Sequence, residues 1–192
     1  MAGRLLSIAA NTFRETVRNK ILYVILAFAL LLIVLARFLA DLSVGEFSRI
    51  VADVGLACIH IFGVIMAVFL GISLVSQELE RRTIYLILSK PVPRWEFVIG
   101  KTAGLVATLF LVCLVMSLVL FGVHAAYGGK VEPGILIASG GIYMELVLLT
   151  CVAALFSSVT TPVLSAVFTL SAFLIGHVSS TMAAVAGRAT GT

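Results

Sequence analysis

Glu145 and His177 are a carboxylic acid and an imidazole set inside long apolar runs. A charge in the middle of a membrane-spanning segment is costly unless it is paired, protonated or hydrated. Glu145 is therefore either a protonated group hydrogen-bonded between helices or part of a transport pathway, with His177 as its candidate partner. The other reactive residue types point to no further chemistry. Cys58, Cys113 and Cys151 each lie in a different apolar run, with no pair at metal or redox spacing. Cys58 and His60 are two residues apart, which directs them to different faces of a helix. His60 and His124 are expected to be packed or interfacial, and Met66, Met116, Met144 and Met182 to fill a helix bundle. Neither a G-x-S-x-G elbow nor an H-E-x-x-H pair is present, so intramembrane hydrolysis is not expected. Gly100–Thr102 ends like a phosphate-binding G-x-x-x-x-G-K-[ST] loop. However, Trp95 stands where the first glycine belongs, and the segment opens an apolar helix instead of following a strand. No cofactor is expected in this chain.

The elements that would position these residues follow from composition. The chain has 192 residues, 61% hydrophobic and 11% charged, where a soluble domain carries about 25% charged residues. Mean hydropathy is +1.21. A spanning helix needs about 20 apolar residues to cross roughly 30 Å of hydrocarbon. The length leaves no room for a soluble catalytic domain beside such helices. The expected fold is all-α: a single membrane domain, 1–192, forming a polytopic helix bundle with spans at about 21–40, 54–76, 102–125, 135–156 and 162–182. Residues 1–20 precede them as an amphipathic helix. Arg4, Ser7, Asn11, Arg14, Glu15 and Arg18 share one face, and Leu5, Leu6, Ala9, Phe13 and Val17 the other. A basic face backed by Leu and Phe is the pattern of a helix in the membrane interface. No small-residue cleavage site follows an apolar core, so this segment is expected to stay.

Between the second and third spans lies SQELERRTIYLILSKPVPRWEFVIGK, residues 76–101, with eight charges. Residues 77–82 are expected to continue the second helix out of the bilayer. Pro91 and Pro93 cannot supply ladder hydrogen bonds and end it. Arg94–Phe97 would restart the chain as an interfacial turn, with Trp95 at headgroup level. Gly100 and Gly104 form a G-x-x-x-G, which permits close helix contact. The formal charge of +4 and the pI of about 9.2 reflect basic residues at span ends, read as topology signals and not as nucleic-acid binding. Nine of the 13 Lys and Arg fall on the face shared by the N-terminus and this segment, which places both in the cytoplasm.

This segment resembles the one between the second and third spans of type 2 ABC transporter permeases, the exporter-like class that includes permeases of nitrous-oxide-reductase maturation and gliding-motility systems. The likeness is carried by Glu78, Thr83, Ile84, Leu88, Ser89, Pro91, Val92, Arg94, Phe97, Gly100 and Lys101. SIAANTFRETVRNKILYVIL is similar to that family's connecting helix and first span, and ELVLLTCVAALFSSVTTPVLSAVFTLSAFLIGH to its fourth and fifth. Members normally continue to a sixth span, whereas this sequence ends at Thr192.

The resemblance implies a coupling helix at residues 77–101 that docks in a groove of a separate cytoplasmic ABC ATPase subunit. Glu78, Glu80, Arg81, Arg82 and Arg94 would make polar contacts, and Ile84 and Leu88 would fill the groove. Thr83, Pro91, Pro93, Phe97 and Lys101 complete the segment. ATP would be bound by the partner subunit. The implied setting is a bacterial cytoplasmic (inner) membrane, with membrane lipid and a second permease copy or homologue as further partners. The rival reading is a non-transporting scaffold or assembly subunit that uses the same charged knob to recruit a cytoplasmic protein.

Overall fold

The computed structural model describes residues 2–40, 47–81, 94–126 and 133–190, and every regular element among them is an α-helix. In chain order these are α1 (Ala2–Val17), α2 (Lys20–Ala40), α3 (Phe47–Arg81), α4 (Arg94–Ala126), α5 (Pro133–Val159) and α6 (Pro162–Thr190). A helix satisfies its backbone hydrogen bonds within one segment, which hydrocarbon demands. Four of the helices hold stretches long and apolar enough to cross a bilayer: Arg49–Leu74, Trp95–Ala125, Gly134–Val159 and Pro162–Ser179. α2 has 21 residues, and its sequence is apolar from Ile21 to Ala36.

The helices outrun the apolar segments that the sequence marks. Ser48, Arg49 and Asp53, which precede the span expected at 54–76, belong to the first turns of α3, and Arg94–Phe97 form the first turn of α4 instead of a separate interfacial turn. Apolar content marks what can lie in hydrocarbon, whereas a helix ends only where its backbone bonding is interrupted. Between α5 and α6 the interruption is Thr160–Thr161. The carbonyl of Thr161 accepts the amide of Ser165 at 2.9 Å, so Pro162 takes the first helical position, where its missing N–H costs nothing.

α3 packs against α2, α4, α5 and α6, whereas α1 lies along α4. α3 and α5 approach closely at Gly71. A Cβ at Gly71 would sit 2.5 Å from the Cβ of Ala153 and 2.8 Å from the carbonyl oxygen of Thr150, so glycine alone lets these backbones meet. Hydroxyls then tie helix to helix. Ser157 Oγ donates to the Ile72 carbonyl at 3.1 Å, Ser165 Oγ to that of Ala153 at 3.2 Å, and Tyr143 Oη to that of Val106 at 3.5 Å. Ile33, Ile59, Leu109, Met116, Leu120 and Leu146 fill the fully buried centre.

The packing predicts that Gly71→Val destabilises the protein by about 1–3 kcal/mol, the usual cost of overpacking, and lowers its unfolding temperature in detergent. Gly122→Ala, where a Cβ meets nothing within 4 Å, should lower it not at all. Equal unfolding temperatures for the two variants would contradict the close α3–α5 crossing.

Candidate functional site

Two places hold the residues that the sequence singles out. The first is where α3 ends and α4 begins. Glu78, Glu80 and Arg81 occupy the last turn of α3, past the apolar run that gives way at Ser76 and Gln77, and Arg94 opens α4. Arg82, Thr83, Ile84, Leu88, Pro91 and Pro93 lie outside the described residues.

The two helices are joined just below this segment. Lys101 is only 7% exposed, and its Nζ donates to the Leu74 carbonyl of α3 at 3.4 Å while lying 5.6 Å from the ring centre of Phe97. An ammonium out of water is tolerable only with such company. Glu96, in the first turn of α4, is 1% exposed, and among the described residues its Oε2 accepts no hydrogen bond.

Gly100 and Gly104 turn toward α1. A Cβ at Gly100 would lie 3.0 Å from that of Ile8, and one at Gly104 would lie 2.6 Å from the Ala9 carbonyl oxygen. The face that α1 buries carries Thr12 and Thr16, with Thr16 Oγ1 donating to the Thr12 carbonyl at 2.8 Å, while Leu6 is 75% exposed. The apolar stripe of this helix is thus only partly used for packing. Helical periodicity finds the stripe but not the neighbour that selects among its residues.

The second place is within the bundle. Glu145 and His60 stand near the middle of the apolar stretches of α5 and α3. Glu145 Oε2 lies 3.1 Å from His60 Nε2, with the oxygen off the direction a well-formed ring N–H bond requires. The imidazole of His60 is 5.7 Å from that of His177, and Phe173 packs against both rings, at 5.6 and 5.8 Å. His177 is exposed, and 43% of the Glu145 side chain is exposed against 21% for His60.

The sequence pairs Glu145 with His177. The structure adds His60, a residue the sequence reading leaves as packing, in contact with Glu145 and close to the His177 ring. Its signal was depth, since it lies mid-stretch on α3, but depth alone does not say which neighbour a helix face meets. A carboxyl and an imidazole in contact can share one proton and stay neutral overall, either as acid with imidazole or as carboxylate with imidazolium. Such a pair is tolerable in a low-dielectric interior and can hold a proton or present hydrogen bonds to whatever covers it. Among the described residues no group of three or more His, Cys, Asp or Glu could hold a metal ion.

A family model described as ABC-2 family transporter protein matches residues 6–191. No curated protein and no solved structure matches the chain.

The contact between His60 and Glu145 predicts a measurable coupling. In a double-mutant cycle with His60→Leu and Glu145→Leu, the interaction energy should be about 0.5–2 kcal/mol, as for polar pairs between membrane helices, read from reversible unfolding in detergent or bicelles. Additive single effects would mean that the two side chains do not interact.

Proposed function

Since the chain belongs to the ABC-2 transporter family, we propose that it is the permease subunit of an ATP-driven transporter whose ATP is bound and hydrolysed by a separate cytoplasmic subunit. The observation that carries this reading is the family match, which leaves only residues 1–5 and 192 unmatched. Members of the family are typically the membrane component of a transporter and not a classical enzyme.

In this reading the ATPase presses on the segment between α3 and α4. Glu78, Glu80, Arg81, Arg82 and Arg94 meet it with charge, Thr83, Ile84 and Leu88 seat in its groove, and Pro91 and Pro93 keep the segment stiff. The described helices support a mechanical link. The Lys101 ammonium ties α4 to the carbonyl of Leu74 on α3, so a push on the intervening segment moves both helices together. α1 lies against Gly100 and Gly104 and follows α4. Lys101 itself is turned inward, so its part is to position the helices and not to contact the ATPase.

The proposed topology has five spans, α2 to α6, with the N-terminus and the α3–α4 segment in the cytoplasm of a bacterial inner membrane. The excess of Lys and Arg on that face supports this orientation. A second permease copy or homologue completes the path. Leu174, Ile175 and Val178 of α6 are exposed beside His177, and a partner there would shield the half-exposed Glu145 from lipid.

A detergent pull-down of the full chain from its host's cytoplasmic proteins should recover an ABC ATPase. The variant Glu78→Ala, Arg82→Ala, Arg94→Ala should lose at least about tenfold of that recovery, as expected when polar anchors of an interface are truncated. Recovery of other cytoplasmic proteins without an ATPase would support the scaffold reading instead.

A further inference from the structure

We propose that the corner between α1 and α2 holds the phosphate of an anionic amphiphile, bound between Arg18, Lys20 and Lys101. A cavity of about 380 Å³ lies there, walled by α1, the α1–α2 turn, the start of α2, α3 and α4. Its size falls in the range of about 300–1,000 Å³ typical of small-molecule sites.

Charge defines one side of the cavity. Lys101 lies at its buried end, and Arg18 and Lys20 stand exposed at its mouth, with Glu15 the one acidic residue in the described lining. Three cations against one carboxylate leave the lining with a net charge of +2. Two lysines and an arginine converging on one cavity from three elements are the donor set that phosphate takes, with arginine able to bind two oxygens at once.

Leu70, Leu74 and Leu105 add an apolar part to the lining beside the Lys101 ammonium. Just past Leu74 the sequence of α3 turns polar, with Ser76, Gln77 and Glu78. The cavity therefore sits at the level where hydrocarbon gives way to headgroups. A free phosphate would use only the cations, whereas a phosphate carried on a glycerol and acyl chain uses the leucines as well. Basic groups next to a spanning helix attract anionic lipid for the same reason. The α1–α2 corner is otherwise closed only by short-range backbone bonds, Asn19 N to the Thr16 carbonyl at 3.0 Å and Leu22 N to that of Asn19 at 3.1 Å. A ligand bridging Arg18 and Lys20 to Lys101 brings that corner onto α4. This inference stands independently of the transport reading, because it needs only the geometry of these four elements and a membrane.

The test is native mass spectrometry of the detergent-solubilised full chain, titrated separately with phosphatidylglycerol, phosphatidylcholine and glycerol 3-phosphate. The same titrations are run on Arg18→Gln, Lys101→Gln and, as a control at the far end of α3, Arg49→Gln. The expected result is preferential retention of phosphatidylglycerol over phosphatidylcholine, reduced about fivefold by removing either pocket cation and unchanged by Arg49→Gln. Glycerol 3-phosphate bound as tightly as the lipid, with the same loss in the variants, would retain the phosphate site but overturn the amphiphile. Equal retention of both lipids without glycerol 3-phosphate binding, or a preference untouched by Arg18→Gln, would overturn the site itself. Arg18 is exposed, so its variant decides the question even if Lys101→Gln fails to fold.

Discussion

The approach of α3 to α5 at Gly71 is the contact around which the rest of the bundle is arranged. Helices surrounded by lipid gain little from burying apolar side chains against one another, because the tails are just as apolar. Association depends on how closely the surfaces fit and on hydrogen bonds between them. With no side chain at Gly71, the Thr150 carbonyl and Ala153 come within contact of the α3 backbone, and Ser157 on the next turn of α5 reaches the Ile72 carbonyl. α3 can then meet α2 and α4 on its other sides. It forms the central post of the bundle, and whatever moves it moves its neighbours.

Polar side chains in the bundle are handled in several ways, some, such as Ser157 and Ser165, by donating to a carbonyl of another helix. Thr108, Thr150 and Thr169 are fully buried, and each donates to the carbonyl four residues before it, at 3.0, 2.8 and 2.7 Å. These hydroxyls are satisfied without help from any neighbour. Glu145 and His60 instead meet across two helices and keep part of their surface open. A half-open carboxyl at mid-membrane depth costs more than a buried threonine and is retained where something covers it or uses it. That difference sets the pair apart from ordinary interior polarity.

The two regions are linked through the same post. The end of α3 carries Glu78, Glu80 and Arg81, its last apolar turn is joined to Lys101, and its middle carries His60. A displacement at the α3–α4 segment therefore has a continuous, packed route to Glu145. α1 adds a second hold on α4 through Gly100 and Gly104, and the cationic corner beside it offers a place where the surrounding membrane can act on that hold.

By itself the sequence determined the all-helical membrane class, because composition and apolar run length answer directly to the thickness and dielectric of a bilayer. It also marked Glu145 and His177 as out of place, the start of a last span at about 162, and a charged segment after the second apolar run. Helix ends were less legible. Phe47–Asp53 and Arg94–Phe97 are polar or mixed yet helical, and nothing in hydropathy reports backbone bonding. Only the tertiary structure decided that His60 meets Glu145 and lies beside the His177 ring, that Lys101 turns inward to the Leu74 carbonyl, and that Thr12 and Thr16 of α1 are buried in preference to Leu6. Each of these depends on which faces of two different helices meet. Periodicity specifies a face within one helix, but the rotation of one helix against another comes from close packing at residues such as Gly71 and Gly104, far along the chain from the groups they bring together.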